Sequence, residues 1–307
     1  MINISNNRKR LDLVVTELFP KYSRSQIKNW ILQGRVKVNG ITTFIPKKKV
    51  LGNESIIVSF PLIKEEKKDL AQNIKLNILY EDDYLIIINK TANLLVCPGI
   101  KQTEGTIFNS LLYHYPSNTL LPRAGIVHRL DKDTTGLMII AKTILSQNRL
   151  IELIKYRKII REYEAIVIGN IKESYGKIDK PIVRHFSKRI HMIISSRGKP
   201  STTHYKVIER FHNYTRISLR LESGRTHQIR VHMKSIGYPL VGDTLYGGNS
   251  HEKFIVYQNL LNRQALHAIM LEFYHPITFT KIYCRIPLPD DMKNFLDMLK
   301  NNHINSC

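Results

Sequence analysis

The 307-residue sequence is short of acidic residues, with 25 Asp+Glu against 47 Lys+Arg, and so carries a formal charge of +22. That imbalance argues against an indifferent surface and points to a polyanionic partner, whose phosphates are met by cations and whose counterions are released. Cysteine is scarce as well: Cys97, Cys284 and Cys307 are three, odd in number and far apart. They draw no disulfide framework and suit free thiols in a reducing cytoplasm. No apolar run approaches the ~18 residues of a membrane span. Met1-Ile2-Asn3-Ile4-Ser5-Asn6-Asn7 lacks the apolar stretch of a secretory signal. Nor is there a long amphipathic Lys-rich helix of the kind that lies on a membrane. What is present is a globular balance of 43% hydrophobic and 23% charged residues. The length accommodates two domains of roughly 150 residues each.

Residues 1–61 stand apart by charge, holding about one third of the net positive charge in about one fifth of the chain. Leu11, Val14, Val15 and Leu18 recur at helical spacing before Phe19-Pro20 ends the run. Ser23 is placed to cap a second helix reaching Leu32, with Ile27, Trp30 and Ile31 on its buried face. Arg24 and Lys28, four apart, share a face. Past Gly34, Arg35-Val36-Lys37-Val38-Asn39-Gly40 alternates basic and apolar and closes on a hairpin signal, so the valines face in and Arg35 and Lys37 face out. The charged run Lys64-Glu65-Glu66-Lys67-Lys68-Asp69 reads as a tether, giving a linker over 62–73 and a second domain over 74–307.

In that second domain residues 78–90 predict two strands joined by an acidic turn, and residues 106–115 a helix stopped at Pro116. Residues 145–158 predict an amphipathic helix with Leu150, Leu153 and Ile154 inward, residues 161–169 a strand, and residues 201–221 two more. Residues 265–287 predict a last helix-like piece with strands, and the tail a short, fraying helix. The stretch that organises the domain is 125–142. Its apolar start gives way to His128-Arg129-Leu130-Asp131-Lys132-Asp133-Thr134-Thr135-Gly136, and residues 137–141 then read as a strand covered on both faces. Polar loops held at the end of a rigid strand are where reacting groups tend to sit, and Asp131 is the group of interest. Later, Gly224-Arg225-Thr226-His227-Gln228-Ile229-Arg230 offers a glycine for a tight turn and Thr226 as a helix cap.

His128-Arg129-Leu130-Asp131, two residues, then Thr134-Thr135-Gly136 resembles the catalytic motif of the RluA-type pseudouridine synthases. The phrase from Gly224 to Arg230 matches that family's later motif without departure, and Gly242-Asp243-Thr244-Leu245-Tyr246-Gly247 continues the likeness. Asn89-Lys90 and Pro98-Gly99 resemble its first motif, departing at Thr91 and Cys97. Tyr22-Ser23-Arg24-Ser25-Gln26-Ile27-Lys28, with two helices, a basic loop and a hairpin, is similar to the S4 RNA-binding domain. The resemblance implies an α+β protein: a small S4-type domain followed by a mixed α/β pseudouridine synthase domain on a long bent antiparallel sheet. It implies uridine isomerisation in 23S ribosomal RNA, in the helix 69 loop, without cofactor or metal. The expected partner is that RNA or the assembling large ribosomal subunit, met by a cytoplasmic monomer with no membrane association.

Such a reaction breaks the C1′–N1 bond, turns the base and rejoins it through C5, so the base must first leave its stack. By family position Asp131 is the carboxylate at the sugar, as nucleophile at C1′ or as base toward a glycal; the sequence leaves both open. An ionised Asp in a partly dry pocket needs a cation, and Arg230 is implied as that partner, its planar fork suiting a carboxylate. Tyr163 is implied to stack on the extruded base and to help remove the C5 proton. Arg129 and Arg225, beside the two motifs, are expected on RNA phosphate or in the vacated base position, and Arg24, Lys28, Arg35 and Lys37 on RNA through the first domain.

Other chemistries find little support. His227 and His232 are five apart with no Cys nearby, which is not a zinc-site spacing. Gly176-Lys177 lacks the phosphate-loop spacing, and no glycine-rich dinucleotide fingerprint follows a strand. An RNA-binding assembly factor without chemistry is the rival class. Against it stands the joint presence of Asp131, Tyr163 and Arg230 in three separate motifs.

Overall fold

The structure, a computed structural model, describes residues 9–19, 22, 24–59, 71–99, 102–247 and 261–304. It divides into two compact units, Met1–Lys68 and Asp69–Cys307. The division falls within the stretch 62–73, most of which lies outside the described residues, as do Pro20 and the expected cap Ser23.

In the first unit β1 (Lys9–Arg10), α1 (Leu11–Leu18) and α2 (Arg24–Leu32) precede β2 (Val36–Val38), β3 (Ile41–Thr43), β4 (Lys49–Val50) and β5 (Ile56–Val58). The apolar stripes of both helices, Leu11, Val14, Val15, Ile27, Trp30 and Ile31, close over Val36 and Val38. The alternation on β2 leaves Lys37 exposed between the two buried valines. Asn39 and Gly40, at φ 50° and 77°, supply the left-handed pair that a two-residue hairpin between twisted strands requires.

The second unit is organised by a nine-stranded sheet. Its strands and helices follow in the order β6 (Ile78–Glu81), β7 (Leu85–Lys90), α3 (Ile107–His114), β8 (Thr135–Ala141), α4 (Ile144–Lys155), β9 (Ile160–Ile168), β10 (Tyr175–Asp179), β11 (Ile182–Arg184), β12 (Met192–Ile194), β13 (Thr202–Arg210), β14 (Tyr214–Leu221), α5 (Gln228–Ser235), β15 (Leu266–Tyr274), β16 (Lys281–Arg285) and α6 (Asp290–Ile304). In space the sheet runs β10-β13-β14-β9-β15-β8-β7-β6, while β11 and β12 pair separately. β15 is the branch point. One edge pairs with β9; the other is shared, its start with β8 and its end with β16. The central strands are apolar throughout because both faces are covered. Ile86, Ile88, Met138 and Ile140 pack with α3, and Leu85, Ile87, Leu137 and Ile139 pack with Leu150 of α4.

Three expectations need correction. The sheet is antiparallel except where β15 meets β8, a parallel pairing at His267 and Ala268 that alternation along one strand cannot reveal. There the backbones approach so closely that a side chain on Gly136 would meet Ala268 at under 3 Å. Residues 265–287 hold strands and no helix. The run Leu266-His267-Ala268-Ile269-Met270-Leu271 suits either form locally, and the sheet decides. The tail is a 15-residue helix, α6, that buries Met292, Phe295, Leu296 and Leu299, three and four apart, against Ile166, Ile269 and Met270.

Candidate active site

Asp131 lies just ahead of β8 in a loop whose backbone is held from several sides. The imidazole Nε2 of His128 accepts the Ile139 N–H (2.9 Å), and burial pushes the His128 pKa down to about 3, which keeps the ring neutral and able to accept. Lys90, buried at the end of β7, donates from Nζ to the carbonyls of Lys132 (2.7 Å), Thr91 (2.7 Å) and Leu94 (2.9 Å). Burial brings the Lys90 pKa down to about 7, opposed by the charges of Asp133 and Asp131. On the far side Arg263 donates from Nη1 to the Asp133 carbonyl (3.2 Å) while its other nitrogens clasp Asp291 of α6 at 2.6 and 2.9 Å. Gln264 donates to the Thr134 hydroxyl (3.1 Å). A loop fixed in this way presents the Asp131 carboxylate without further ordering cost.

That carboxylate meets Arg230. Nη1 of Arg230 donates to Asp131 Oδ2 at 3.3 Å, while Nε and Nη2 form a bidentate pair with Asp243 at 2.7 and 2.8 Å. Asp243 is fully buried and also accepts the N–H groups of Leu245 and Tyr246. Burial disfavours the Arg230 charge, but Asp243 and then Asp131 outweigh it and hold its pKa above the ordinary value. The Tyr246 ring lies 5.0 Å from the guanidinium, within cation–π range. The Tyr246 hydroxyl accepts the Met192 N–H and meets His227 Nδ1, both at 2.8 Å. The other His227 nitrogen is 3.9 Å from Asp131 Oδ1. Arg230 is thus anchored by one carboxylate and offers its remaining nitrogen to the other.

α5 begins without the expected cap. His227, in the left-handed region at φ 56°, takes the N-cap position, and no side chain bonds there. Thr226 does not cap; instead Gln228 folds back to accept the Arg225 N–H (3.0 Å) and the Ser223 hydroxyl (2.9 Å). Gly224 is not in the left-handed region. It is small because the Arg161 guanidinium passes it, 3.2 Å from where a Cβ would stand.

Tyr163, on β9, lines the same cavity as Asp131 and Arg230 and is 5% exposed. Burial raises the pKa of its hydroxyl, and the Arg161 charge opposes the rise. Arg129 and Arg225 are exposed on the cavity's edge. In the first unit Arg24 and Lys28 share a groove with Arg10, Lys47, Phe44 and Ile45. Arg24 is partly committed there, donating at 2.8 and 2.9 Å to the buried carboxylate of Asp12. Lys28 is exposed. Arg35 and Lys37 do not line that groove, and Arg35 donates to Gln33 at 3.1 Å.

Residues 84–235 match the family model described as RNA pseudouridylate synthase, and residues 9–56 match that of the S4 domain. Ribosomal large subunit pseudouridine synthase D of Yersinia pestis is 50% identical over 298 residues, covering 95% of this chain and 91% of that protein. The chain belongs to the RNA pseudouridylate synthase family. The protein of the same name from Escherichia coli strain K12 is 49% identical over 305 residues, covering 97% of this chain and 93% of its own length. Among solved structures, Human RNA Pseudouridylate Synthase Domain Containing 1 is similar with a TM-score of 0.55 and 25% identity, over 75% of this chain and 96% of that one. Human RNA Pseudouridylate Synthase Domain Containing 4 shares the fold, with a TM-score of 0.58 at 23% identity over 73% of this chain and 93% of that one.

The cavity that holds Asp131 in this RNA pseudouridine synthase has a volume of about 600 Å³, which suits a single nucleoside. Arg123, Arg129, Lys155, Arg157, Arg161, Arg225 and Arg230 contribute to its lining against two carboxylates, Asp131 and Glu222. Among the described residues no cluster of three His, Cys, Asp or Glu is arranged to hold a metal ion. His227 turns to Tyr246, and His232 to Thr203 and the Lys180 carbonyl. Sequence reasoning assigned no task to Asp243, Arg161, Lys90 or Arg263. Lys90, Asp243 and Arg263 stood inside recognisable phrases, but Arg161 had only its place two residues before Tyr163.

Proposed function

We propose that this synthase converts uridine to pseudouridine in 23S ribosomal RNA, in the helix 69 loop, as a single chain in the cytoplasm acting on that RNA or on the assembling large subunit. The relatives named above carry the large ribosomal subunit in their names, and the net charge of +22 suits an RNA substrate. The single observation that carries the chemical assignment is Asp131 held 3.3 Å from an arginine that Asp243 fixes, in a cavity that also contains Tyr163.

The extruded uridine enters with its ribose toward Asp131. The carboxylate attacks C1′ or removes a ribose proton toward a glycal, and either route ends with uracil detached from the sugar. Arg230 donates to the carboxylate and aims it. Tyr163 stacks on the base and takes part in removing the C5 proton once C5 has joined C1′. Arg129 and Arg225 hold flanking phosphates or the space the base has left. Arg24, Lys28, Arg35 and Lys37 supply affinity from the first unit without taking part in chemistry.

Release of tritium from RNA labelled at uridine C5 tests the assignment. Asp131→Asn keeps size but cannot act as nucleophile or ribose base, so release is expected to be undetectable even in single turnover with enzyme in excess, while RNA binding stays near wild type. Asp133→Asn, two residues along the same loop, is expected to keep most activity because only its backbone carbonyl meets Arg263. A dead Asp133→Asn beside an active Asp131→Asn would move the chemistry to the other carboxylate.

A further inference from the structure

Arg161 differs from the other buried arginines of the second unit. Arg230 and Arg263 each clasp an aspartate, Asp243 and Asp291. Arg161 is 7% exposed, its Nε is buried with no hydrogen-bond partner, and among the described residues no carboxylate forms an ion pair with it. A buried guanidinium nitrogen without a partner is costly, so a fold that keeps one gains where its partner arrives later. The place is specific. Arg161 and Tyr163 are two apart on β9 and therefore on the same face, and both line the cavity that holds Asp131. Gly224 gives the guanidinium room: a Cβ there would stand 3.2 Å from Nη1.

Resting on the pseudouridine reading above, we propose that Arg161 hydrogen-bonds a carbonyl oxygen of the uracil base and stabilises the negative charge the base acquires when C1′–N1 breaks. In that step the bonding electron pair leaves with N1, and conjugation spreads it onto the carbonyl oxygens O2 and O4. The sugar is held meanwhile as the Asp131 ester or as the glycal. After the base turns, C5 bonds C1′, the C5 proton is removed, and N1 takes up a proton, so the base carries negative charge from cleavage to rejoining and again until N1 is protonated. A preorganised cation in a dry pocket stabilises such charge without reorganising at the moment of reaction. The base suits Arg161 better than a phosphate does. Arg129 and Arg225 are exposed at the edge, where a backbone would run, whereas Arg161 is buried beside the residue assigned to stack on the base.

The test uses the full-length enzyme and a helix 69 stem-loop in which the target uridine is replaced by 2-thiouridine or 4-thiouridine, with product read by nucleoside chromatography after single turnover. Sulfur is the weaker acceptor, so one of the two replacements is expected to slow the wild type. Arg161→Met and Arg161→Gln are expected to slow the unmodified substrate by about 10²–10³-fold, with RNA affinity changed only a few-fold. The same thio replacement should slow these variants little further, since the partner is already gone. Wild-type turnover indifferent to both replacements overturns the proposal, whatever the variants do. Additive effects of variant and replacement overturn it too, and weakened affinity at an unchanged rate makes Arg161 a phosphate contact instead. Asp131→Asn runs in parallel: if it turns over, the chemical reading fails, and if it is dead while the Arg161 variants behave as wild type, only the present inference fails.

Discussion

The two units use arginine and lysine in opposite ways. In the second unit Arg230 and Arg263 are buried and clasped by Asp243 and Asp291, so each has one geometry. In the first unit Lys28 and Lys37 stand in water, and even Arg24, which reaches the buried Asp12, is half exposed. A buried and paired cation contributes position, whereas an exposed one contributes long-range attraction that salt screens. On the proposed reading, the chemistry of this synthase therefore depends on a few pinned cations, and its affinity for RNA on many loose ones.

The sharpest way to break that contrast is at Arg230. Arg230→Ala leaves Asp243 buried without its cation, and removing one partner of such a pair costs about 3–5 kcal/mol of stability. Arg230→Lys keeps the charge but cannot clasp Asp243 and reach Asp131 together. We expect it to fold, bind RNA almost normally and lose most of its single-turnover rate; a wild-type rate would show that the fork is dispensable. Tyr163→Phe comes next. It keeps the ring and removes the hydroxyl, so binding should hold while C5 proton release slows by about 10²–10⁴-fold relative to C1′–N1 cleavage. Equal slowing of both steps would argue against the hydroxyl as the C5 base. Removal of residues 1–61 has the mildest effect on chemistry. Binding to ribosomal RNA weakens and its salt slope flattens by about 0.7–0.9 for each phosphate no longer neutralised, with activity recovered at raised enzyme concentration. An unchanged slope would mean that the loose cations of that unit do not meet RNA.

The sequence made some of this legible for a physical reason. Asp131, Tyr163 and Arg230 stand in local phrases whose glycines, hydroxyls and apolar flanks are set by the backbone around them, and the fold brings all three to one cavity. The strands also announced themselves, since a run covered on both faces has to be apolar along its length. The supporting groups did not. Asp243 acts on Arg230 thirteen positions away and Arg263 on the Asp133 carbonyl 130 positions away, and no short pattern reports such a distance. The parallel pairing of β8 with β15 was hidden likewise, because alternation gives a strand's faces and not its neighbours. Arg161 was passed over because a basic residue in a half-covered strand reads as surface until its burial is seen.

The grip of α6 on Arg263 also bears on timing. Asp131 lies far earlier in the sequence than Asp291, which holds the arginine that steadies the Asp133 carbonyl. Contacts between distant parts of a chain form late, because the intervening segment must first be ordered. A growing polypeptide thus makes Asp131, the proposed reactive carboxylate, well before it has all the groups that steady the loop around it. On the proposed reading, full competence requires the segment from Arg263 to Asp291 to be folded as well as the loop that carries Asp131.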